Sequence, residues 1–367
     1  MREFIDGATA IVRGALDSGC TFFAGYPITP ASGILMQMMR ELPKTGGIAV
    51  QGEDEIASIG MCIGATLAGA RAMTATSGPG ISLYSENIGL AIMGEVPLVI
   101  VDVQRLGPST GAATTVAQGD VQFVRWGTAG GYPIIALAPS TVPEAYRLTA
   151  RAFELAERFR CPVFLLTDKE LTMSLTTVDS ESLTHDPVGA RATESAGPPY
   201  RYEPADAVFP IHEFGSGATV RFTGSTHDQH ALITKHGPTI GALNRHLIAK
   251  IEDHRDEIEL VEVDADGDAR TVVLGYGITG GAVRTAVARG RAAGKALTGV
   301  VVQSLWPLPE TALRKAFDGM DRVIVAELNP GLYRREIDRI AMDRNVVGIE
   351  RIDGDLITPD QILEMAM

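Results

Sequence analysis

Short apolar runs alternate with helical patterns between residues 21 and 168, and this alternation constrains the fold more than any other feature. Strands that are each followed by a helix build a parallel sheet with helices on both faces, which predicts an α/β fold. The carboxyl ends of parallel strands lie at one edge of the sheet, where α/β proteins bind ligands. The residues that directly follow the strands are therefore the candidate site. The predicted strands are residues 21–24, 48–51, 72–76, 98–103, 134–137 and 163–166.

The first predicted strand leads into the turn Gly25-Tyr-Pro-Ile-Thr-Pro30. Because proline suits the first position of a helix, the turn predicts Thr29 as the helix N-cap. Capping alone would explain a threonine at this position. Tyr26, Pro27 and Ile28, however, form an apolar turn where polar residues are usual, which favours a ligand packed against them.

The second strand is followed by a helix that carries three acidic residues in its first turn. We expect this helix to open at Glu53, and the charges of Glu53 and Asp54 complement the helix dipole. Glu55 is different, because its neighbours one turn further along include Ser58 and Cys62 on the apolar face. We therefore expect its carboxylate to lie on the buried side, where it needs a partner with which it can share a proton.

Two further motifs follow the third and fourth strands. Ser77-Gly-Pro-Gly80 is typical of a plain turn when it is taken alone. Arg105 begins a loop, continuing to Gln118, that is rich in Gly, Pro, Ser and Thr, and loops of this length commonly have a function. A forked guanidinium matches a carboxylate, which predicts a small acid as the ligand. A structural salt bridge from Arg105 to a strand-end acid is the alternative.

Four ordered motifs together resemble the α subunit of 2-oxoacid:ferredoxin oxidoreductases, and the similarity extends over nearly the whole chain. The motifs are Gly25-Tyr-Pro-Ile-Thr-Pro30, Glu53-Asp-Glu-Ile-Ala-Ser-Ile-Gly60, Thr76-Ser-Gly-Pro-Gly80 and Asp102-Val-Gln-Arg-Leu-Gly-Pro-Ser-Thr-Gly111. The 2-oxoglutarate branch is the most similar, through Gln118-Gly-Asp-Val121 and Val124-Arg-Trp-Gly127. Enzymes for pyruvate and for branched-chain 2-oxoacids share most of these motifs and stay as alternatives.

The resemblance implies two α/β domains. Residues 1–180 would form a doubly wound pyrimidine-binding domain of the thiamine diphosphate enzymes, and residues 269–367 a transketolase C-terminal-like domain. Between them, residues 181–268 lose regular periodicity and are expected to form an extended arm or linker. The strands expected in the second domain are residues 272–274, 300–302, 323–325 and 347–349.

Gly275-Tyr-Gly-Ile-Thr-Gly280 fits the dinucleotide fingerprint, so an NAD-dependent dehydrogenase is an alternative of a different class. The next strand ends in Gln303-Ser-Leu-Trp306, without the acid that would hold a ribose. The resemblance implies instead that these glycines only permit a tight turn. A non-catalytic scaffold subunit that has kept the fold is the third alternative.

The implied activity is the oxidative decarboxylation of 2-oxoglutarate with coenzyme A, which gives succinyl-CoA and CO2 and passes electrons to ferredoxin, or the reverse carboxylation. Thiamine diphosphate would provide the electron sink. By resemblance, Glu55 and Thr29 would be catalytic, and Thr29 and Arg105 would bind the substrate. The residues that would contact the cofactor are Tyr26, Pro27, Ile28, Glu55, Ser77, Gly78 and Pro79.

By the family pattern, thiamine enzymes hold the diphosphate and magnesium with Gly-Asp-Gly and Asn-Asn motifs, and this chain lacks that pair. Cys20, Cys62 and Cys161 have no spacing typical of an iron–sulfur or zinc site, and we expect them to be buried and to hold no metal. A partner β subunit would therefore bring the diphosphate site, Mg²⁺ and a 4Fe–4S cluster. A module present in longer relatives is expected on a separate γ-type subunit.

Composition narrows the partners and the location. The formal net charge is −13 and no basic cluster offsets it, which argues against a nucleic acid ligand. No apolar run reaches membrane length, and the N-terminal segment does not have the pattern of a signal peptide. We expect a cytoplasmic protein without membrane contact.

Overall fold

In the computed structural model, which describes residues 2–366, a seven-stranded sheet forms the first α/β unit. Its parallel strands are β2 (Phe22–Gly25), β3 (Ile48–Gln51), β4 (Ala72–Thr76), β5 (Leu98–Gln104), β6 (Ile135–Leu137) and β7 (Pro162–Asp168). They take the order β6-β7-β5-β4-β2-β3 across the sheet. All six strands predicted from the sequence are confirmed, with ends that differ by at most two residues. The sequence did not predict the separate antiparallel pair of β1 (Arg2–Ile5) and β8 (Thr176–Asp179).

Helices cover both faces of this sheet, as the alternation of strands and helices predicts. Along β5, Val99 and Val101 point into one apolar core, while Leu98 and Ile100 point into the other. The helices on the first face are α1 (Gly7–Asp17), α2 (Ser32–Glu41), α7 (Val142–Phe159) and α8 (Lys169–Met173). Those on the second face are α3 (Glu55–Leu67), α4 (Gly78–Leu83), α5 (Ser85–Met93) and α6 (Val121–Trp126).

Two predicted helix starts are wrong. Thr29 is not an N-cap, because α2 begins only at Ser32, after a turn in which the Ser32 N–H donates to the Ile28 carbonyl at 2.9 Å. Glu53 does not open α3 either. Asp54 is the N-cap, and its carboxylate accepts from the Ala57 N–H at 2.7 Å, so that the helix starts at Glu55.

The second unit contains a five-stranded sheet with the strands β9 (Val261–Asp264), β10 (Thr271–Tyr276), β11 (Thr298–Val302), β13 (Arg322–Glu327) and β14 (Asn345–Glu350). Their order across the sheet is β14-β13-β10-β11-β9. The helices of this unit are α11 (Thr279–Ala292), α12 (Glu310–Ala316), α13 (Arg334–Ala341) and α14 (Pro359–Ala366). All four predicted strands are confirmed. The antiparallel edge strand β9 lies in the segment expected to be a linker, so the sequence missed it.

The segment between the two units has little regular structure up to residue 236, and then forms α9 (Gly237–Glu252) and α10 (Arg255–Ile258). It packs back onto the first unit through a buried charge cluster. Glu95 accepts from the Lys250 Nζ atom at 2.9 Å, and its carboxylate lies 2.9 Å from the His246 Nε2 atom. Within residues 2–366, no helix combines the length and the apolar character needed to cross a membrane.

The two units share one apolar core and are joined by a strand that changes sheet. After β11, the chain crosses into the first unit, where β12 (Ser304–Trp306) pairs antiparallel with β6. The Trp306 indole N–H donates to the Val121 carbonyl at 3.1 Å. This strand has only three residues, and its sequence does not indicate that it pairs with the first sheet and not with the second.

Gln118 is the polar centre of the junction between the units. Its side-chain amide donates to the Tyr276 carbonyl at 2.9 Å, and its carbonyl oxygen accepts from the Leu328 N–H at 3.0 Å and from the Thr279 hydroxyl at 3.3 Å. The glycine-rich turn expected as a dinucleotide fingerprint is filled by these contacts. A Cβ atom at Gly277, whose φ is +55°, would lie 2.6 Å from the Gln118 Nε2 atom, so the turn has no space for a pyrophosphate.

We predict that Gln118→Leu destabilises the chain by roughly 3 kcal/mol, because the substitution leaves buried polar groups of the second unit without partners. The midpoint of urea denaturation measures this loss. Gln229→Leu, at an exposed position, is the matched control and is expected to change the midpoint little. Equal midpoints for the two variants would show that the Gln118 side chain does not hold the units together.

Candidate active site

Four loops that follow strands meet at one edge of the first sheet. The strands β5, β4, β2 and β3 are neighbours, and their carboxyl ends point the same way. From β2 the chain continues to α2 on one face, and from β4 to α4 on the other. In open α/β sheets the ligand crevice lies at such a point, here between β2 and β4. The loops at this crevice contain Thr29, Glu55, Ser77 and Arg105, which confirms that the candidate residues lie at one edge.

Glu55 is a buried acid at the first position of α3. It is only 7 % exposed, while its helix neighbours Ser58 and Cys62 are fully buried, as the sequence predicts. The Asp54 cap and the Ser58 hydroxyl, which donates to the Asp54 carbonyl at 2.7 Å, hold this first turn in place. Within residues 2–366 the Glu55 carboxylate has no hydrogen-bond donor. It is therefore available to a ligand group that can share a proton.

The turn after β4 approaches Glu55 very closely at Gly80. A Cβ atom at Gly80 would lie 2.0 Å from the Thr76 Oγ1 atom, 2.9 Å from Glu55 Cγ and 3.0 Å from Glu55 Oε1. Only glycine permits this packing. The hydroxyls of Thr76 and Ser77 are fully buried in the same turn, and neither has a hydrogen-bond partner in the described part of the chain. Such unpaired polar atoms are typical of a site that awaits a ligand.

Arg105 and Thr29 are in direct contact at this edge of the sheet. The guanidinium donates to the Thr29 carbonyl at 2.5 Å and to the Thr110 carbonyl at 2.9 Å, while its Nε atom is buried without a partner. Arg105 is 7 % exposed and forms no ion pair in residues 2–366. The alternative of a structural salt bridge is therefore wrong, and the positive charge is not neutralised by direct contact.

The remaining residues expected at the cofactor surround this crevice. Tyr26 and Pro27 are exposed, and Ile28 is half-buried. Ser77 is the first residue of the turn after β4, and Gly78 and Pro79 open α4. The structure thus gathers all the candidate residues along one edge.

The sequence analysis missed a pair of facing carboxyl groups, Asp102 at the end of β5 and Asp120 before α6. Burial and the neighbouring Asp120 carboxyl raise the pKa of Asp102 well above its usual range. Burial raises the pKa of Asp120 to about 6, against the opposing effect of the Arg105 charge. The available signal was a single acid inside the otherwise apolar strand Leu98–Val103.

No set of three His, Cys, Asp or Glu side chains within residues 2–366 is placed to hold a metal ion. The three cysteines are buried free thiols, as the sequence predicts. In the segment His227-Asp-Gln-His230, the first histidine contacts an aromatic hydroxyl. His227 is fully buried against the Tyr202 hydroxyl at 3.0 Å.

Comparison with known families gives two matches that together cover most of the chain. Residues 13–240 match the family described as pyruvate flavodoxin/ferredoxin oxidoreductase, thiamine diphosphate-binding. Residues 269–362 match the core domain II of pyruvate:ferredoxin oxidoreductase. The two matches correspond to the two α/β units of the structure.

Individual relatives agree with these matches. The 2-oxoglutarate synthase subunit KorA of Methanothermobacter marburgensis is 41 % identical over 373 residues, which cover 99 % of this chain and 98 % of the relative. The ketoisovalerate oxidoreductase subunit VorB of Methanothermobacter thermautotrophicus is 36 % identical, over 99 % of this chain and 96 % of the relative. Both relatives are subunits of larger enzymes.

A solved structure resembles the whole chain. The 2-oxoglutarate:ferredoxin oxidoreductase from Magnetococcus marinus, with 2-oxoglutarate, coenzyme A and succinyl-CoA bound, superposes with a TM-score of 0.93 at 32 % identity. The match covers 100 % of this chain and 64 % of the Magnetococcus chain, so this chain spans about two thirds of that structure.

We predict that Gly80→Ala destabilises the protein by about 1–3 kcal/mol, because the new methyl group overlaps Thr76 and Glu55. Gly60→Ala is the matched control. That glycine is exposed on α3 with open space around it, and alanine there is expected to stabilise by about 0.5–1 kcal/mol. Chemical denaturation measures both values. If the two variants gave the same change, the close approach at Gly80 would be refuted.

Proposed function

This chain belongs to the pyruvate flavodoxin/ferredoxin oxidoreductase family, and we propose that within it the chain is the α subunit of a 2-oxoglutarate:ferredoxin oxidoreductase. The proposed reaction is the oxidative decarboxylation of 2-oxoglutarate with coenzyme A to succinyl-CoA and CO2, with electrons passed to ferredoxin, or its reverse. The observation that carries the proposal is Glu55, a buried carboxylate in a thiamine diphosphate-binding domain that accepts no hydrogen bond from residues 2–366.

The residues around the crevice fit the pyrimidine half of thiamine diphosphate. When bound, the cofactor supplies the electron sink that the loss of CO2 from a 2-oxoacid requires. Glu55 would share a proton with a nitrogen of the pyrimidine ring, because its carboxylate is buried and has no other donor. Because Gly80 has no side chain, the Glu55 side chain can lie directly beside it. Tyr26, Pro27, Ile28 and the turn 77–79 would form the apolar walls that exclude water.

Arg105 and Thr29 are proposed to hold the substrate. 2-Oxoglutarate carries two carboxylates, and Arg105 presents a buried guanidinium with an unpaired Nε–H and no neighbouring ion pair. A carboxylate bound there would neutralise a charge that is otherwise buried. Thr29 lies beside it, because its backbone carbonyl accepts from the same guanidinium.

The rest of the active site is proposed to come from partner subunits. The names of the relatives indicate a multi-subunit enzyme. In this chain the three cysteines are buried, and residues 2–366 contain no candidate metal site, so a β subunit would bring the diphosphate site, Mg²⁺ and the 4Fe–4S cluster. A γ-type subunit, ferredoxin as the electron acceptor, and a cytoplasmic location complete the proposal.

A branched-chain 2-oxoacid enzyme is the second candidate, supported by the 36 % identity to a ketoisovalerate oxidoreductase subunit. The 2-oxoglutarate proposal has the stronger support, since the corresponding subunit is 41 % identical and the solved relative contains 2-oxoglutarate. The two candidates differ in the second carboxylate of the substrate. Comparing rates with 2-oxoglutarate, pyruvate and 3-methyl-2-oxobutanoate therefore distinguishes them.

We predict that Glu55→Gln lowers the rate roughly a hundredfold or more, because an amide cannot exchange a proton in place of the carboxylate. The measurement is coenzyme A- and 2-oxoglutarate-dependent reduction of a low-potential dye by the chain purified with its co-purifying subunits. Glu53→Gln, an exposed acid two residues away, is the matched control and is expected to keep full activity.

The outcome is decisive if the Glu55→Gln complex stays assembled, which gel filtration checks. Activity that depends neither on thiamine diphosphate nor on Glu55 would contradict the proposed role and favour a scaffold subunit. A preference for 3-methyl-2-oxobutanoate with Glu55 still essential would retain the reaction class and change the substrate.

A further inference from the structure

The loop that begins at Arg105 returns to the end of β5 through residue 120. At its base, the Asp120 N–H donates to the Gln104 side-chain oxygen at 3.1 Å. The Asp120 carboxyl also faces the Asp102 carboxyl. Asp102 lies on β5, three residues before the loop begins at Arg105. Within the loop, the Leu106 N–H donates to the Thr115 carbonyl at 2.9 Å. Two side-chain contacts, one of them between two acids, lie at its base.

Three of the four carboxyl oxygens of this pair are fully buried and accept no hydrogen bond from an N–H group of residues 2–366. Asp102 is 0 % exposed, and in the described part of the chain no N–H or O–H group except the facing carboxyl reaches either of its oxygens. Asp120 is half-buried as a residue, but its Oδ2 atom is fully buried. Two carboxylates in contact cannot both be ionised at low cost, so the pair is expected to retain one proton.

The pair lies directly beneath the candidate active site. A Cβ atom at Gly78 would be 3.2 Å from the Asp120 Oδ2 atom, so the turn after β4 rests on this carboxyl. Arg105, three residues after Asp102, is close enough for its charge to act on Asp120. The ionisable side chains on the elements around the pair include Glu55 on α3, Tyr84 after α4, Arg125 on α6 and Asp168 at the end of β7.

We propose that one proton shared by Asp102 and Asp120 closes the base of the 105–120 loop and thereby positions Arg105 for the substrate. Both acids are positioning residues, because they would act on the substrate through the loop and Arg105. The link to the substrate rests on the function proposed above, whereas the closure of the loop by a shared proton is independent of it. Loss of the proton to solvent would leave two facing carboxylates and open the base.

The proposal predicts the direction in which the stability of the protein changes with pH. Acids whose pKa is raised by folding contribute stability that is lost as pH rises through the folded pKa. In the wild type, this loss begins at about pH 4, where unfolded aspartates titrate, and continues past about pH 6. Asp102→Asn removes one of the two titrating groups. The stability of this variant relative to wild type is therefore expected to increase over the same range.

Two substitutions at one position separate a shared proton from simple packing. Asp102→Asn keeps a donor towards Asp120, whereas Asp102→Leu fills the space without one. We expect the Asn variant to retain the wild-type KM for 2-oxoglutarate, and the Leu variant to raise KM roughly tenfold with little change in kcat. Asp318→Asn, on the exposed surface, is the control for loss of an acid.

A second measurement does not depend on activity. Hydrogen–deuterium exchange of residues 106–117, followed on the purified protein at neutral pH, is expected to be slow in wild type and Asp102→Asn and faster in Asp102→Leu. Infrared difference spectra should show one protonated carboxyl group that is lost in Asp102→Asn. Equal loop exchange in the Asn and Leu variants, or no protonated carboxyl difference, would overturn the proposal. If the exchange and infrared results are as expected but the wild-type protein does not oxidise 2-oxoglutarate, only the proposed function is refuted.

Discussion

The candidate active site depends on the close approach of the first turn of α3 to the turn that follows β4. The approach is possible because Gly80 has no side chain, and the Asp54 cap fixes where α3 begins. Together these contacts place the Glu55 carboxylate in a buried position, where no donor from residues 2–366 reaches it. A buried carboxylate that is not engaged by such a donor is available to a ligand, which is what the proposed role of Glu55 requires.

The second unit supports the loop that begins at Arg105. The 105–120 loop is fastened near its end by Gln118, which joins the two units through the Tyr276 carbonyl and the Leu328 N–H. Near its middle, Thr115 packs against Gly354 of the second unit, where an added Cβ atom would lie 2.0 Å from the Thr115 Cγ2 atom. The loop that presents Arg105 is therefore held by both units. The Gln118 side chain that fastens it also fills the glycine-rich turn at Gly277.

Much of this fold could be predicted because the sequence signals are local. The apolar runs of the ten predicted strands are each followed by turn or helix signals, and the spacing of Ser58 and Cys62 relative to Glu55 defines a buried helix face. The strands β9 and β12 were missed, since their partners are distant in sequence and β12 has only three residues. The exact domain boundaries stay predictions.

The errors at the site itself have physical causes of the same kind. The rule that a Thr before a Pro caps a helix failed at Thr29, because the chain makes an additional turn before α2 begins. The pairing of Asp102 with Asp120 brings together residues from a strand and from the far end of a loop, and no spacing rule relates them. That Arg105 binds carbonyls and forms no ion pair within residues 2–366 likewise depends on which groups the fold places beside it.

The most direct test of this account is to follow the exchange of the thiazolium C2 proton of bound thiamine diphosphate for deuterium by NMR, in the assembled complex. The wild-type complex and the complex with Glu55→Gln are compared at equal cofactor occupancy. The account predicts that exchange slows roughly a hundredfold or more in the variant, because the carboxylate no longer assists the movement of the proton. Equal exchange rates in the two complexes would contradict the central role of Glu55.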